Sequence, residues 1–220
     1  MAFDRDLARD QICRAALPHI AFDGWTGAVL ARAAEDAGYE ALTALRVFPG
    51  GAIDAIEHWC AMADRAMVEA CADDPAFAAL KVREKIATAI RQRLAPLAGD
   101  REAVRRALGV LALPTGVGVS LKTVWRTVDA VWYLAGDTAT DFNFYSKRGL
   151  AAGVYSSTLL HWLDDKSENQ EDTWRFLDRR IANVMAIPKA MAGVQARLGK
   201  LPNPLAPLLS PLLARFKRAG

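Results

Sequence analysis

Apolar residues recur at spacings of three and four along almost the whole of this chain, and they never settle into the alternation of a strand. Glycine and proline supply the punctuation. The spacing predicts helices over about Arg5–Ile20, Gly27–Ala37, Glu40–Phe48, Ala52–Ala72, Ala76–Leu97, Arg101–Leu113, Ser120–Ala135, Asp141–Leu163 and Glu171–Ile187. Breaks fall at Gly24, Gly38, Pro49-Gly50-Gly51, Pro75, Gly99, Pro114-Thr115-Gly116 and Pro188. Leu7, Ile12, Ala15, Ala16 and His19 fall on one side of the first helix. Ile53, Ile56, Trp59, Cys60, Ala63 and Met67 mark the fourth, and Leu80, Ile86, Ile90 and Leu94 the fifth. The reading is all-α. With 52% apolar and 24% charged residues, the 220 residues are enough for one substantial core.

Three cysteines, Cys13, Cys60 and Cys71, match no metal-ligand spacing and read as free thiols packed in helices. The opening MAFDRDLARD has three aspartates and no apolar run, so it reads as neither a secretory signal nor a transit peptide. The longest charge-free stretch of the helical body, 149–163, is short of the ~20 residues that cross a bilayer. Charge is divided along the chain. After Asp178 come eight basic residues and no acid, whereas the first 178 residues carry 20 basic groups against 25 acids. An acidic body with a basic end expects an anionic partner at that end.

The N-terminal pattern of helix, break, helix, glycine, short helix and Phe48-Pro49-Gly50 resembles the three-helix head of TetR-type repressors. Trp25-Thr26 and the run Ala33-Ala34-Glu35-Asp36-Ala37-Gly38 carry that likeness, and Thr26 is placed to cap the second helix. Charge argues against DNA binding. Residues 1–50 hold five arginines against seven acids, and the recognition segment Glu40–Phe48 offers one arginine among Ala, Leu and Val. Phosphate neutralisation supplies most DNA affinity, so the head reads as a retained, degenerate helix-turn-helix and no nucleic-acid partner is expected.

Ser120–Ala135 places Leu121, Val124, Trp125, Val128, Val131 and Trp132 on one broad stripe. The helix after it is rich in small residues: Gly149, Ala151, Ala152, Gly153, Ser156 and Ser157. Large rings beside small residues suit either core packing or a cavity for a long apolar ligand. The expected lining is Leu121, Val124, Trp125, Val128, Trp132, Leu150, Val154, Tyr155, Thr158, Leu159 and Trp162. Asp137, Asp141, Glu171 and Asp172 read as helix caps, and Lys147-Arg148 and Arg179-Arg180 as partners of acids on neighbouring helices.

The blocks GDTATDFNFYSKR, LAAGVYSSTLLHWLDDKS and EDTWRFLDRRI resemble the C-terminal domain of the COQ9 ubiquinone-biosynthesis family, and LPTGVGVSLKTVWRTVDAVWYLAGD resembles its preceding helices. The likeness spans about residues 100–187. It implies a bacterial, non-enzymatic accessory protein with a TetR-like bundle, commonly a homodimer, that binds isoprenoid quinone intermediates and presents them to a ubiquinone-pathway hydroxylase. By position, the family's docking patch falls on Val131, Asp141, Phe144 and Tyr145, where Phe144 stands for a frequent Trp and Val131 for an occasional Met. A lipid ligand and no other cofactor or metal is implied. The alternative is a ligand-responsive regulator of the TetR type.

The tail sets Leu205, Leu208, Leu209, Leu212, Leu213 and Phe216 at helical spacing, with Arg215, Lys217 and Arg218 at its end. That is the pattern of an interfacial amphipathic helix, kinked by Pro211, on an anionic membrane surface; docking of the same leucines on the body or a second subunit is the competing reading. The expected organisation is a head over 1–50, a lipid-binding and partner-docking body over 51–187, and a membrane-seeking tail over 188–220. The expected location is the cytoplasmic face of a bacterial inner membrane. No Glu-x-x-His pair, nucleophile elbow or phosphate-binding loop appears, and the three histidines, His19, His58 and His161, are scattered.

Overall fold

The computed structural model describes residues 3–136 and 142–198, with side chains described over 3–136 and 147–186. Every regular element among the described residues is helical. The α-helices are α1 (Arg5–Asp23), α2 (Gly27–Asp36), α3 (Ala41–Val47), α4 (Gly51–Asp73), α5 (Val82–Leu94), α6 (Arg101–Leu111), α7 (Val117–Leu134), α8 (Phe142–Asp164) and α9 (Glu171–Leu198). The expectation of an all-helical, TetR-like bundle holds. The described residues up to Arg179 form one compact unit, and those from Arg180 onward belong to a second.

Local chemistry explains most boundaries. The Asp4 carboxylate accepts from the Asp6 and Leu7 amides and starts α1. Thr26 starts α2 as expected, its hydroxyl accepting from the Val29 amide at 3.2 Å. Gly38, at φ 82°, makes the left-handed turn between α2 and α3. Gly116 is required for a different reason: a Cβ there would stand 2.6 Å from the Val110 carbonyl oxygen, so only glycine lets α6 turn this tightly into α7.

Several expectations need correction. Leu7 is half exposed, and α1 buries Ala8, Ile12, Cys13, Ala16 and Ile20 instead. The helix expected from Ala76 is broken: a short 3-10 turn buries Phe77, Leu80 and Lys81 are extended, and α5 starts at Val82. There the Glu84 carboxylate accepts from the Lys81 amide at 3.0 Å, which stabilises a helix start at this point. α7 starts three residues ahead of Ser120, and α9 runs helical through Pro188 to Leu198. The first turn of α9 is capped by Asp165 more than by Glu171 or Asp172. Asp165 accepts from the backbone and hydroxyl groups of both Ser167 and Thr173. Burial works against its ionised form, but those four bonds hold its carboxyl well below the usual range.

Two contacts lock the head onto the body. Trp25 is buried, donates from Nε1 to the Ala103 carbonyl at 3.0 Å, and packs against Trp59 of α4. Asp10 of α1 accepts from Arg65 at 2.8 Å and meets His58 Nε2 at 2.7 Å, both on α4, while Arg9 pairs with Asp54. His58 is buried against Phe48, with Arg9 lying over the Phe48 ring at 5.0 Å. Desolvation, with help from the cations Arg9 and Arg65, depresses the His58 pKa, although its bond to Asp10 works the other way. Between the ordinary value of about 6.5 and that lower one, the unfolded chain binds the extra proton, so stability falls as pH falls through this window. Denaturant midpoints measured between about pH 7.5 and 5.5 should therefore drop, and His58→Gln should flatten the slope. A slope unchanged in His58→Gln would assign the effect to other groups.

Candidate functional site

The α7 stripe is the place to look for a site, because the helix does not pack the face that its apolar residues define. Thr123, Thr127, Val128 and Val131 are its buried residues. Leu121 is 69% exposed and Trp125 38%. On a helical wheel the apolar stripe is turned about a quarter turn away from the packed face. The reason lies in a polar cluster beneath α7. Asp64 of α4 accepts from Arg93 Nε of α5 at 2.7 Å, from Arg126 Nε at 2.8 Å and from the Thr127 hydroxyl at 2.8 Å. Asp64 and Arg93 are both buried. Burial disfavours the Arg93 guanidinium, yet the Asp64 carboxylate bonded to it helps hold its pKa above the ordinary arginine value, so it stays charged. Burial also pushes the Tyr155 phenol up and keeps it neutral. Rotating Leu121, Val124 and Trp125 of α7 inward would break this cluster.

The displaced stripe forms one wall of a groove of about 660 Å³, lined by Leu121, Lys122, Val124, Trp125, Arg126 and Asp129 of α7 and by Ala152 of α8. Its polar rim is held in place: Lys122 pairs with Glu57 at 2.6 Å, Arg126 with Asp64, and Asp129 with Arg148 of α8 at 2.6 Å. The Asp129–Arg148 pair is the helix-to-helix contact expected of Arg148. Beside it, Trp132 donates from Nε1 to the Lys147 carbonyl at 3.2 Å, with the Lys147 ammonium over its ring. These contacts fix α8 against the far end of α7 and leave the Leu121–Trp125 end open.

Nine of the eleven residues expected to line one cavity are divided between three environments, and two fall outside all of them. Leu121, Val124 and Trp125 face the groove. Tyr155 and Leu159 border a small interior gap of about 50 Å³, shared with Trp59, Arg93, Val104 and Leu111 among others. Val128, Val154, Thr158 and Trp162 are buried. Trp162 is filled in completely: it donates to Gln170 Oε1 at 3.1 Å and lies beneath the Arg101 guanidinium. Gln170 reaches it from a left-handed turn, with φ 50° at Asn169 and 60° at Gln170. Leu150 is 37% exposed and Trp132 part-buried, both outside the groove lining. Among the described residues, the expected lining thus borders an open groove on the outer side of α7 and a small gap of about 50 Å³ in the interior.

Of the expected docking patch, Val131 is 1% exposed and offers no contact surface. The side chains of Asp141, Phe144 and Tyr145 lie outside the described residues, as do the tail residues Leu205 to Arg218. The caps expected at Asp137 and Asp141 lie there too. No group of three or more His, Cys, Asp or Glu side chains converges as metal ligands would among the described residues. No helix among them is long and apolar enough to cross a membrane.

Three helices at the head, a long α4 linking them to a bundle, and a left-handed turn between α2 and α3 define a TetR-like helical protein. The crystal structure of the TetR transcriptional regulator from Nitrosomonas europaea ATCC 19718 shares this fold, with a TM-score of 0.66 and 24% identity, covering 80% of this chain and 97% of that one. A family model described as COQ9 matches residues 117–188, a span that runs from the start of α7 into α9 and includes the groove. The ubiquinone biosynthesis protein COQ9, mitochondrial, of Rattus norvegicus is 34% identical over 181 residues, 80% of this chain and 58% of that protein. Its Homo sapiens counterpart is 32% identical over 181 residues, 80% of this chain and 57% of that one. The chain belongs to the COQ9 family. It spans less than six-tenths of the length of these two relatives.

Proposed function

We propose that this protein serves ubiquinone biosynthesis as a non-enzymatic carrier that holds an isoprenoid quinone intermediate along α7 and presents its ring to a hydroxylase. The observation that carries this reading is the quarter-turn displacement of the α7 stripe, which leaves Leu121, Val124 and Trp125 lining open space. Exposing large apolar groups costs stability unless something covers them, and a groove of this size falls in the range of ligand sites. An isoprenoid chain is apolar, extended and narrow, so it can lie along the stripe while Lys122, Arg126 and Asp129 stay hydrated at the rim. The names of the relatives place them in ubiquinone biosynthesis, whose intermediates carry such chains.

In this account the basic segment after Asp178 holds the protein to an anionic leaflet, which supplies the ligand. The patch expected around Asp141, Phe144 and Tyr145, between α7 and α8 in sequence, docks the hydroxylase. The head favours this over a repressor. Its α3 exposes leucines where phosphate-binding cations would be needed, and its net charge is negative. The test is mass spectrometry of lipids that co-purify with the full chain and with Leu121→Asp/Trp125→Asp. Isoprenoid quinones or their precursors should accompany the wild-type protein and be lost from the variant. Wild-type protein free of isoprenoids, together with tight binding to an operator, would reverse the assignment.

A further inference from the structure

Charge is missing from the turn between α6 and α7, whereas the turns after α4, α5 and α8 carry Asp74, Asp100 and Asp165. No charged residue occurs from Ala107 to Leu121. Leu113 and Val117 are 55% and 45% exposed there, and Pro114 and Thr115 are exposed between them. The Val117 amide donates to the Leu113 carbonyl at 3.2 Å, which sets Leu113 one helical turn ahead of Val117. Leu121 follows one turn later, so three exposed apolar side chains succeed one another along one edge. The edge is preformed, because the close approach of position 116 to the Val110 carbonyl holds the two helices in a tight turn.

A bilayer accepts irregular backbone only where its polar groups are already bonded. Much of this turn meets that condition. The amides of Ala112, Leu113, Gly116 and Val117 donate to the carbonyls of Leu108, Val110 and Leu113, and Pro114 has no amide to satisfy. Charge returns where the uncharged run ends, at Arg106 on the α6 side and Lys122 on the α7 side. Lys122 pairs with Glu57 yet keeps most of its side chain in solvent, so it can reach lipid phosphates while the leucine beside it inserts. Protein interfaces ring their apolar centre with polar contacts, whereas acyl chains cover an edge that offers no charge. We infer that the α6–α7 turn is a membrane-contact site that sinks Leu113, Val117 and Leu121 into the acyl boundary of a lipid bilayer. Leu121 also lines the groove, so on the isoprenoid reading a chain leaving the bilayer reaches the groove without passing a charge. Leu113 and Val117 lie outside that lining, so membrane contact by the turn and lipid retention by the groove can fail separately.

The experiment places the fluorescent amino acid dansylalanine at position 113 of the full chain and, in a second protein, at Leu45, an exposed leucine of α3. Each is mixed with phosphatidylcholine–phosphatidylglycerol vesicles whose acyl chains carry a doxyl quencher. Emission from position 113 should shift to the blue and be quenched, and emission from position 45 should stay unquenched. Leu113→Asp/Val117→Asp should lower partitioning of the full chain onto the same vesicles by roughly tenfold or more. The labelled protein changes one exposed position, so it reads the turn even if the double variant folds poorly. No quenching at position 113, equal quenching at both positions, or unchanged partitioning of a folded double variant would overturn the inference. So would a change of oligomeric state in Leu113→Asp/Val117→Asp, which would show that a second copy of this chain covers the edge.

Discussion

Asp64→Leu should destabilise the protein by about 3–5 kcal/mol, measured by chemical denaturation, although residue 64 is not itself part of the groove lining. The carboxylate is the shared acceptor of Arg93, Arg126 and Thr127. Removing it strands the Arg93 guanidinium in the interior, beside Tyr155 and the Cys60 carbonyl. Arg126 suffers less, since about a third of its side chain still reaches water. The loss would be a large share of the ~5–15 kcal/mol that stabilises a typical domain. Because much of that cost is the stranded charge, Asp64→Leu/Arg93→Met should recover most of it. A double variant no better than Asp64→Leu would mean that the cluster stabilises through its bonds and not through charge balance. The consequence for function is separate. With no anchor under Thr127 and Arg126, α7 is free to roll Leu121, Val124 and Trp125 inward, and the groove should close even in variants that fold.

Leu121→Asp/Trp125→Asp addresses the groove directly and should leave the fold intact, because both side chains are already substantially solvated. Each contributes apolar contact to a bound chain at about 1.5–3 kcal/mol. Losing both should weaken isoprenoid retention by roughly a hundredfold or more. Thermal unfolding should be nearly unchanged. Loss of lipid together with loss of folding would instead mark the stripe as ordinary core.

The helices, their order and most of their ends were legible in the residues because caps and breakers act locally. Thr26, Gly38 and the Pro114–Gly116 turn are examples. The α5 start was not, since it depends on Phe77 being buried, and burial is a property of neighbours. The stripe on α7 was legible as apolar, but periodicity reports a face without saying which neighbour receives it. What turned that face aside was Asp64, an acid that the sequence reading did not single out. Its spacing held the clue: it lies four residues after Cys60 and three before Met67, on the inward face of α4. Arg93 lies three residues after Ile90 on the inward face of α5 in the same way. Opposite charges on two facing apolar stripes are a signal of a buried pair. Trp25 stands in the sequence only as part of the head's TetR likeness, and its role as the bolt between α1–α3 and α6 needed the fold.

The groove and the interior gap give competing addresses for a guest, and a photo-crosslinker distinguishes them. Benzoylphenylalanine placed at position 121 in one protein and at position 159 in another, each irradiated with a radiolabelled isoprenoid quinone, reports which space the chain occupies. Labelling through position 121 and none through position 159 is the expected outcome. Labelling through position 159 alone would put the guest inside the bundle and contradict the account.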